Sequence, residues 1–429
     1  MAITHAHPVD GNSPATPTPL WAVLTLTFLG SLGTGAVTNG FSFIASQGLG
    51  YTRGMNLLLA FILGLSYIAG ALASGPLIAK LERARSNGSG SLTPRGVLVI
   101  VLVTIGLVCQ LPFLARSIAP GLVEPSLWVL IMIFSPMTGL LWPIVESYLS
   151  GGRRERALRS ALGRFNIVWS IALVGSFWAM APLLEHHPFL ILSLLGLFQF
   201  LMLGVLFWFP PFPPRHFETD HTPPPAVYVP LLTIFRVLLI ASYIVLSALS
   251  PLLPIVEDRL GVDIHWKTPL ASVWLTSRVL LFLIFERWHG WHGRWWTPWT
   301  GMAFMLIGFA GCMLSPMFAE LGRNIGLGTL IVGLAMTGIG IAMTYYGALY
   351  YAMAVGNAEV QAGGKHEAMI GVGYSIGPLC GLAGVGLGGQ DDAKFGFWVI
   401  MLISGSVVAS VLLGSSMLRK HKRIESVST

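Results

Sequence analysis

Residues 210–230, PPFPPRHFETDHTPPPAVYVP, form the one long polar stretch between the apolar runs of this 429-residue chain. The stretch combines paired prolines with Glu218 and Asp220, a composition that does not suit a helix crossing lipid. Six apolar runs precede it and six follow it. We therefore interpret residues 210–230 as a linker between two six-helix halves, residues 21–209 and 231–418.

Every apolar run has roughly the 20 residues that a helix needs to cross a bilayer. We predict an all-α integral membrane protein whose twelve transmembrane helices form two pseudo-symmetric six-helix halves. The predicted spans of the first half are residues 21–45, 55–79, 97–115, 126–149, 161–183 and 188–209. Those of the second half are residues 231–255, 269–286, 298–318, 325–353, 368–388 and 395–418.

The amino-acid composition is typical of a protein embedded in a lipid bilayer. Hydrophobic residues make up 54% of the chain and charged residues 10%, whereas an average soluble domain carries about 25% charged residues. The mean hydropathy is +0.73. The net charge of +7 comes from short basic clusters between apolar runs, which is typical of membrane orientation signals. We therefore expect the lipid bilayer as a partner and no nucleic acid.

Lysine and arginine are concentrated in alternate loops, as the positive-inside rule requires of loops that face the cytoplasm. Residues 153–159 contain four arginines, and the tail of residues 419–429 is also basic. Residues 1–19 contain no lysine or arginine, so they do not resemble a secretory signal peptide. We expect a multi-pass protein of the plasma (cell inner) membrane. Its tails, residues 1–20 and 419–429, and the linker would face the cytoplasm.

The sequence indicates no metal site and no cofactor. Its three cysteines lie inside apolar runs and lack CxxC spacing. His289 and His292 have no third ligand nearby, so we interpret the tryptophan-rich run around them as an interfacial aromatic belt. The chain also lacks the phosphate-binding pattern G-x-x-x-x-G-K-[ST], which argues against direct use of ATP.

Residues 75–83, GPLIAKLER, follow the second predicted span. They resemble a loop motif of the major facilitator superfamily, G-x-L-x-D-R-x-G-R, with Gly75 and Arg83 at matching positions. Ala79 replaces the acidic residue of the motif, which in that family helps to lock a gate. Glu82 replaces the second glycine and is a candidate substitute for that acid.

Residues 364–382 of the eleventh span resemble the superfamily's antiporter motif, G-x8-G-x3-G-P-x2-G-G, except that Leu382 replaces the last glycine. Gly373, Gly377 and Pro378 occupy its inner positions. In the family this motif marks span five, the equivalent position of the other half. The resemblance therefore favours a repeat-built transporter, although small residues at this spacing also serve plain helix packing.

Seven polar or aromatic residues within the spans are candidates for lining a solute path, because polar groups in lipid usually face the bundle interior. Arg278 lies near the middle of span eight, where it could anchor a polar or anionic substrate or serve a structural partner. Arg236 lies near one end of span seven, where it could bind substrate or reach the interface. The substrate-lining candidates are Arg278, Arg236, Asn166, Trp169, Tyr243, Tyr346 and Tyr350.

Acidic residues and a histidine are candidates for gating or coupling. Glu146 lies well inside an apolar span, where it could carry a proton or form a gating salt bridge with Arg83, Arg156 or Arg159. His366 and Glu367 begin span eleven, where they could relay protons or, for Glu367, interact with the helix dipole. The gating or coupling candidates are Glu146, Arg83, Glu82, His366 and Glu367, and the helix-packing candidates are Gly75, Gly373, Gly377 and Pro378.

The resemblance to the superfamily implies a monomeric secondary transporter that moves a small-molecule substrate by alternating access. It leaves proton coupling and the direction of transport open. A lipid or amphiphile translocator on the same fold remains an alternative. An intramembrane enzyme is a further alternative, but the chain contains no H-E-x-x-H or G-x-S-x-G pattern, so we do not expect an enzyme.

Overall fold

The computed structural model describes residues 16–88, 92–153, 155–214, 225–355, 360–389 and 391–428. The side chains of residues 155, 156, 159, 353–355, 360–363 and 417–428 are outside this description. Residues 215–224 of the predicted linker and residues 1–15 of the predicted N-terminal tail also lie outside it.

Twelve helices of the described chain are long and apolar enough to cross a membrane. In the first half they are α1 (Leu20–Asn39), α2 (Arg53–Ser86), α3 (Pro94–Ile118), α4 (Pro120–Ser150), α5 (Ser160–Leu184) and α6 (Pro188–Trp208). In the second half they are α7 (Tyr228–Leu249), α8 (Ile264–Arg287), α9 (Trp296–Ala319), α10 (Arg323–Ala352), α11 (Gly364–Gly388) and α12 (Asp392–Ser416). Each helix overlaps one predicted span and the described residues form no strand, so the all-α prediction is confirmed.

The helix starts follow local signals in the sequence. Thr52 and Thr93 precede α2 and α3, and each side-chain oxygen accepts a hydrogen bond from a backbone N–H three residues later. Pro94 occupies the first turn of α3, where the missing N–H costs nothing. Gly50 has a φ of 67° and ends the short helix Phe41–Leu49. This left-handed conformation, which favours glycine, turns the chain toward α2.

The first span contains one widened turn. Residues Thr34–Asn39 form a π-helix at the end of α1, and the chain continues as the short helix Phe41–Leu49. A Cβ atom at Gly35 would lie 2.0 Å from the hydroxyl oxygen of Ser176 on α5. The glycine therefore allows α1 to approach α5 more closely than any other residue would.

The two halves meet along α2 and α11, which pack closely together in antiparallel directions. A Cβ atom at Gly64 of α2 would lie 2.5 Å from the carbonyl carbon of Tyr374 on α11. A Cβ atom at Gly371 of α11 would lie 2.7 Å from the side chain of Ile68 on α2. A second contact between the halves is formed by α5 and α8.

The other face of α11 packs against α7 within the second half. A Cβ atom at Gly373 would lie 2.5 Å from Cβ of Tyr243, and one at Gly377 would lie 2.2 Å from the carbonyl oxygen of Ile244. Both glycines, predicted to pack helices, therefore lie where two backbones nearly touch. Pro378 is buried inside α11.

Large apolar side chains cover the outside of the bundle, as lipid requires. Examples on four different helices are exposed over half or more of their surface: Leu107, Leu201, Val332 and Leu412. Such side chains would be unusual on this scale around a water-soluble core. The apolar belt agrees with the twelve predicted spans.

We call the end of the bundle where α1 begins and α12 ends the terminal end, and the opposite end the distal end. At the distal end Arg53 of α2 forms a salt bridge with Asp392 of α12, with 2.8 Å between Nη1 and Oδ1. Arg259 also pairs with Asp392. We call the four distal contacts between the halves the distal network. The first is the Arg53–Asp392 salt bridge, and the second is the hydrogen bond from Ser42 Oγ to the carbonyl oxygen of Ser250, at 3.0 Å. The others are the hydrogen bond from Trp178 Nε1 to Ser272 Oγ, at 3.1 Å, and the contact of 3.3 Å between Glu185 and His265.

Candidate functional site

A cavity lies between the two halves, around the middle of α2, α5 and α11. Its empty volume is about 500 Å³, including space open to solvent. We call it the central cavity. Its lining residues are Thr34, Thr38, Tyr67, Thr138, Trp142, Glu146, Phe165 and Trp169 from the first half and Tyr243, Tyr345, Glu367, Ile370 and Tyr374 from the second.

Two carboxyl groups line the central cavity. Glu146 comes from α4 and Glu367 from α11, so each half contributes one. The hydroxyl of Tyr67 on α2 donates a hydrogen bond of 2.5 Å to Oε2 of Glu367. Neither carboxyl group forms a salt bridge with the described residues. The Tyr67–Glu367 bond is therefore a polar contact that crosses from one half to the other inside the membrane.

Arg278 of α8 is fully buried, with 0% of its surface exposed, next to the central cavity. None of its guanidinium nitrogens has a hydrogen-bond partner among the described residues. Tyr243 lies within electrostatic range but makes no hydrogen bond of normal geometry to it. The charge is surrounded by aromatic rings instead: its Cζ atom lies 4.4 Å from the ring centre of Trp169, 4.6 Å from Tyr345 and 5.2 Å from Phe282. A desolvated contact of this kind is worth about 2 kcal/mol.

The rings of Trp169 and Tyr345 face each other across the boundary between the halves. Their centres are 6.1 Å apart and their planes differ by 8°, so they are nearly parallel. Both rings line the central cavity. Because Trp169 belongs to α5 and Tyr345 to α10, any relative movement of the halves changes their separation.

The structure brings some of the predicted lining residues together and separates others. Trp169 and Tyr243 line the central cavity, and Arg278 lies beside it. Asn166 is buried without lining the cavity, and its Oδ1 atom has no hydrogen-bond partner among the described residues. Arg236 is exposed on α7.

Tyr346 and Tyr350 belong to an aromatic cluster near the terminal end. Tyr350 stacks on His292 with 4.3 Å between ring centres, and both tyrosines contact the buried ring of Trp291. The predicted interfacial belt is therefore divided: Trp291 points inward, whereas Trp288, Trp295 and Trp296 are exposed.

The predicted gating and coupling residues lie in two places. Glu146 and Glu367 line the central cavity, and the ring of His366 lies 6.2 Å from that of Tyr345. Arg83 and Glu82 are exposed at the terminal end of α2, and Gly75 is half-buried about two turns before them. The side chains of Arg156 and Arg159, which the sequence also suggested as partners of Glu146, lie outside the described residues.

Several lining residues were not among the sequence candidates. Tyr67 and Thr138 lie in apolar runs of α2 and α4, where single polar side chains are common and carry no signal of their own. Tyr345 and Tyr374 were visible as tyrosines within spans, but only the packing of α10 and α11 shows that they face the cavity. Thr34 and Thr38 lie in the π-helix of α1, and such widened turns are frequent at functional sites.

A second cavity of about 440 Å³ lies on the distal side of the central cavity. The two cavities share Thr38 and Tyr374 in their linings. The other polar groups of the distal cavity are uncharged and include Asn56 and Ser250. The Ser42–Ser250 hydrogen bond of the distal network lies at its wall. In the described part of the chain, no group of three His, Cys, Asp or Glu residues could hold a metal ion.

The fold resembles solved structures more clearly than the sequence resembles known proteins. A crystal structure of the nucleoside transporter NupG matches with a TM-score of 0.65 and 14% sequence identity, covering 93% of this chain and 98% of that chain. A point mutant of NupG matches with the same TM-score and 13% identity, covering 93% of this chain and 99% of that one. No protein-family profile and no curated protein sequence matches the chain. At this level of identity the similarity establishes a shared fold.

Proposed function

The chain has the fold of the major facilitator superfamily, and from that premise we propose that it is a secondary transporter that moves a small solute by alternating access. The observation that carries this proposal is the central cavity, whose lining comes from both halves. A site between two halves can be opened to one side and then to the other when the halves rock against each other.

The distal network supports this mechanism because it supplies contacts that a cycle can break and remake. Its members are side-chain hydrogen bonds, of which Ser42–Ser250 is buried, and ion pairs that are at least partly exposed. Exposed pairs of this kind are worth about 0–1 kcal/mol each. Their breaking therefore costs little enough for a solute that binds in the cavity to offset it. The close glycine contacts of α2 and α11 would be the surface on which the halves move.

We assign proton coupling to Glu367 and Glu146. Intramembrane carboxyl groups are the usual proton carriers of transporters, and no described basic side chain neutralises either of these by a salt bridge. Glu367 accepts its hydrogen bond from Tyr67 across the two halves. Gain or loss of a proton at Glu367 would therefore strengthen or weaken a contact between the halves, which is the link that coupling needs. Arg83, Glu82 and His366 remain proposed gating residues.

We assign solute anchoring to Arg278. A buried guanidinium without a hydrogen-bond acceptor offers up to five N–H donors to a polar or anionic group that enters the cavity. Trp169 and Tyr243 would line the bound solute. Asn166, Arg236, Tyr346 and Tyr350 are proposed substrate residues outside the lining of the central cavity.

The positive-inside pattern supports an arrangement in which the terminal end faces the cytoplasm of the cell, with the protein in the plasma (inner) membrane. The terminal end carries the basic residues of 80–85 and Arg153. We also propose a monomer, because the central cavity is complete within one chain.

An uptake screen in proteoliposomes tests the function. The solutes are nucleosides first, because the structural neighbours are nucleoside transporters, followed by sugars, organic anions and lysolipids, each with and without a pH gradient. We expect uptake of one polar solute class, and movement of lysolipids alone would favour the amphiphile alternative instead. Failure of every solute to enter, or to exchange across the membrane, would refute the transport proposal.

Two variants test the coupling assignment once a solute is found. We expect Glu367→Gln to abolish accumulation driven by a pH gradient while exchange of labelled for unlabelled solute continues, because exchange needs no net proton movement. Glu124→Gln, on the distal surface, is the matched control and should retain both activities. Accumulation by Glu367→Gln at the wild-type level would show that the proton, if any, moves elsewhere.

A further inference from the structure

We propose that the central cavity selects solutes that carry a planar ring, which is held between Trp169 and Tyr345. Arg278 would donate hydrogen bonds to a carbonyl or carboxylate oxygen on the edge of that ring. The inference rests on the proposed transport function and deepens it by naming the class of solute: planar heteroaromatic compounds with an oxygen acceptor.

The two aromatic side chains form walls that already have the right orientation. Their planes differ by only 8° and their centres are 6.1 Å apart. A ring placed between them needs about 7 Å, because stacked rings approach to roughly 3.5 Å on each side. The slot must therefore widen by at least about 1 Å. Because the walls belong to different halves, the rocking movement itself would supply that change.

The guanidinium of Arg278 lies over both rings, so a ring that enters the slot must displace it toward the edge. Its Cζ atom is 4.4 Å from one ring centre and 4.6 Å from the other, which places it nearly equidistant from the walls. The side chain is fully buried and its nitrogens have no hydrogen-bond partners in the described chain. Buried N–H groups without a hydrogen-bond acceptor are costly. An oxygen on the edge of a ring in the slot would supply that acceptor.

Two other buried polar atoms near the slot also have no hydrogen-bond partner among the described residues. Asn166 precedes Trp169 by three residues on α5, so the two lie on neighbouring positions of one helix face. Its Oδ1 atom is unpartnered within the described residues, and so is Nε2 of His366, whose ring lies 6.2 Å from Tyr345. Donors and acceptors around a flat aromatic slot match a ring that itself carries both, as heteroaromatic rings do.

A purely structural role for the same residues predicts different behaviour. If Trp169, Tyr345 and Arg278 only held the halves together, changing them would alter stability and the rate of the transport cycle for every solute equally. A binding slot instead predicts that their effect depends on whether the solute is planar and where its oxygen lies. Binding measured on the purified protein in detergent, without any gradient, separates these two roles.

The planarity test compares uridine with 5,6-dihydrouridine, which keeps the same hydroxyl and carbonyl groups but has a puckered ring. We expect uridine to bind roughly tenfold more tightly, because stacking of one base on aromatic side chains is worth that much or more. Trp169→Leu should remove the preference, whereas Trp169→Phe should keep most of it. Trp142→Leu removes another cavity tryptophan, one that contacts Phe165 edge-on, and should affect the preference less.

The acceptor test compares inosine with purine riboside, which lacks the carbonyl oxygen of the base. Wild-type protein should prefer inosine, and Arg278→Lys, which keeps the charge but loses the planar fork of donors, should lose much of that preference. Melting temperatures of all variants show whether each has folded. Folded Trp169→Leu protein that still prefers uridine as strongly as wild type would overturn the inference.

The outcomes distinguish this inference from the proposed function. If the protein transports a sugar or an aliphatic anion and binds none of the planar probes, the transporter assignment stands and the aromatic slot is refuted. If it binds the planar probes with the predicted preferences but transports nothing, the slot stands and the transport function is refuted. If no solute is either bound or transported, both fail.

Discussion

Two tyrosine–glutamate hydrogen bonds in this chain show how position decides what a bond does. Tyr51 donates to Glu124 at 2.9 Å, and both residues belong to the first half. Tyr67 donates to Glu367 at 2.5 Å, and this bond joins the two halves inside the bundle. The chemistry is the same in both pairs. Only the second bond has to change when the halves move.

Replacement of Tyr67 by phenylalanine removes that donor and leaves the ring in place. We expect solute uptake to fall by up to roughly tenfold, because a hydrogen bond is worth about 0.5–1.5 kcal/mol, and its pH dependence to shift. Initial uptake rates between pH 5.5 and 8 measure both effects. Tyr51→Phe is the matched control and should behave like wild type. Equal effects of the two variants would contradict the assigned role of Tyr67.

Glu257, in the distal helix Leu253–Arg259, provides a pH test of stability. It is fully buried and neither carboxyl oxygen has a hydrogen-bond partner among the described residues. Burial raises the pKa of Glu257 well above its ordinary value, although nearby Lys267 acts in the opposite direction and Asp258 adds to the increase. The folded protein therefore holds this proton at pH values where the unfolded chain has lost it. Its contribution to stability decreases as the pH rises from about 4.5 toward the raised value.

Glu257→Gln should for this reason raise the melting temperature in detergent at pH 7.5 and change it less at pH 5. The amide keeps the shape of the side chain and has no proton to lose. Glu320→Gln, an exposed replacement on the same end of the molecule, should leave the melting temperature unchanged at both pH values. A stabilising effect of Glu257→Gln that is the same at both pH values would argue against titration as its cause.

At the scale of single elements, α11 is the helix on which the two halves and the cavity depend. One face packs against α2 and another against α7, and Glu367 and Tyr374 point from it into the central cavity. Close packing on both sides is possible because small residues recur along the helix. The spacing of these glycines was visible in the sequence, and so the helix and its packing role could be predicted.

Replacement of Gly377 by alanine should destabilise the protein by about 1–3 kcal/mol, because the added Cβ would lie 2.2 Å from the backbone oxygen of Ile244. Thermal unfolding in detergent measures the loss. Gly386→Ala lies on the same helix with no atom within 4 Å of its Cβ position, and it should be neutral or slightly stabilising. Similar melting temperatures for both variants would show that the helices separate easily at Gly377.

Sequence patterns predicted the elements better than the site, for a physical reason. A span is a local property: about 20 apolar residues in a row suffice. Arg278 was also detectable, because a charge inside an apolar run is costly wherever it packs. Its surroundings were not, since Trp169 and Tyr345 come from helices far apart in the chain. Glu146 is followed closely in sequence by arginines, which suggested a gate, whereas the fold places its side chain on the cavity.

At the scale of the whole molecule, the distal network and the central cavity lie on opposite sides of the distal cavity. Asp392 holds two arginines, Arg53 from the first half and Arg259 from the second. It is half exposed, so each pair contributes at most about 1 kcal/mol. Together with the Ser42–Ser250 bond, these contacts bias the distal end toward closure without making it permanent.

Asp392→Asn should therefore make the distal end open more often, by roughly two- to fivefold. Reaction of a water-soluble thiol reagent with Ser250→Cys measures the opening, because Ser250 is buried in the distal cavity wall. The partly exposed Cys380 is replaced by serine in this background. Asp391→Asn changes only local contacts with the side chain and backbone N–H of Lys394 and should leave the labelling rate unchanged. Unchanged labelling in Asp392→Asn would exclude this residue as a closing contact.

The π-helix of α1 determines the rotational orientation of the short helix that follows it. Each residue of an α-helix is rotated by about 100° about the helix axis relative to the one before it. The widened turn at Thr34–Asn39 contains one residue more than an α-helical turn. Deletion of Val37 would allow a regular helix to form and would rotate the segment Phe41–Leu49 by that angle about its own axis. Ser42 would then point away from Ser250. The sealing of the distal end thus depends on a count of residues, which no substitution can change.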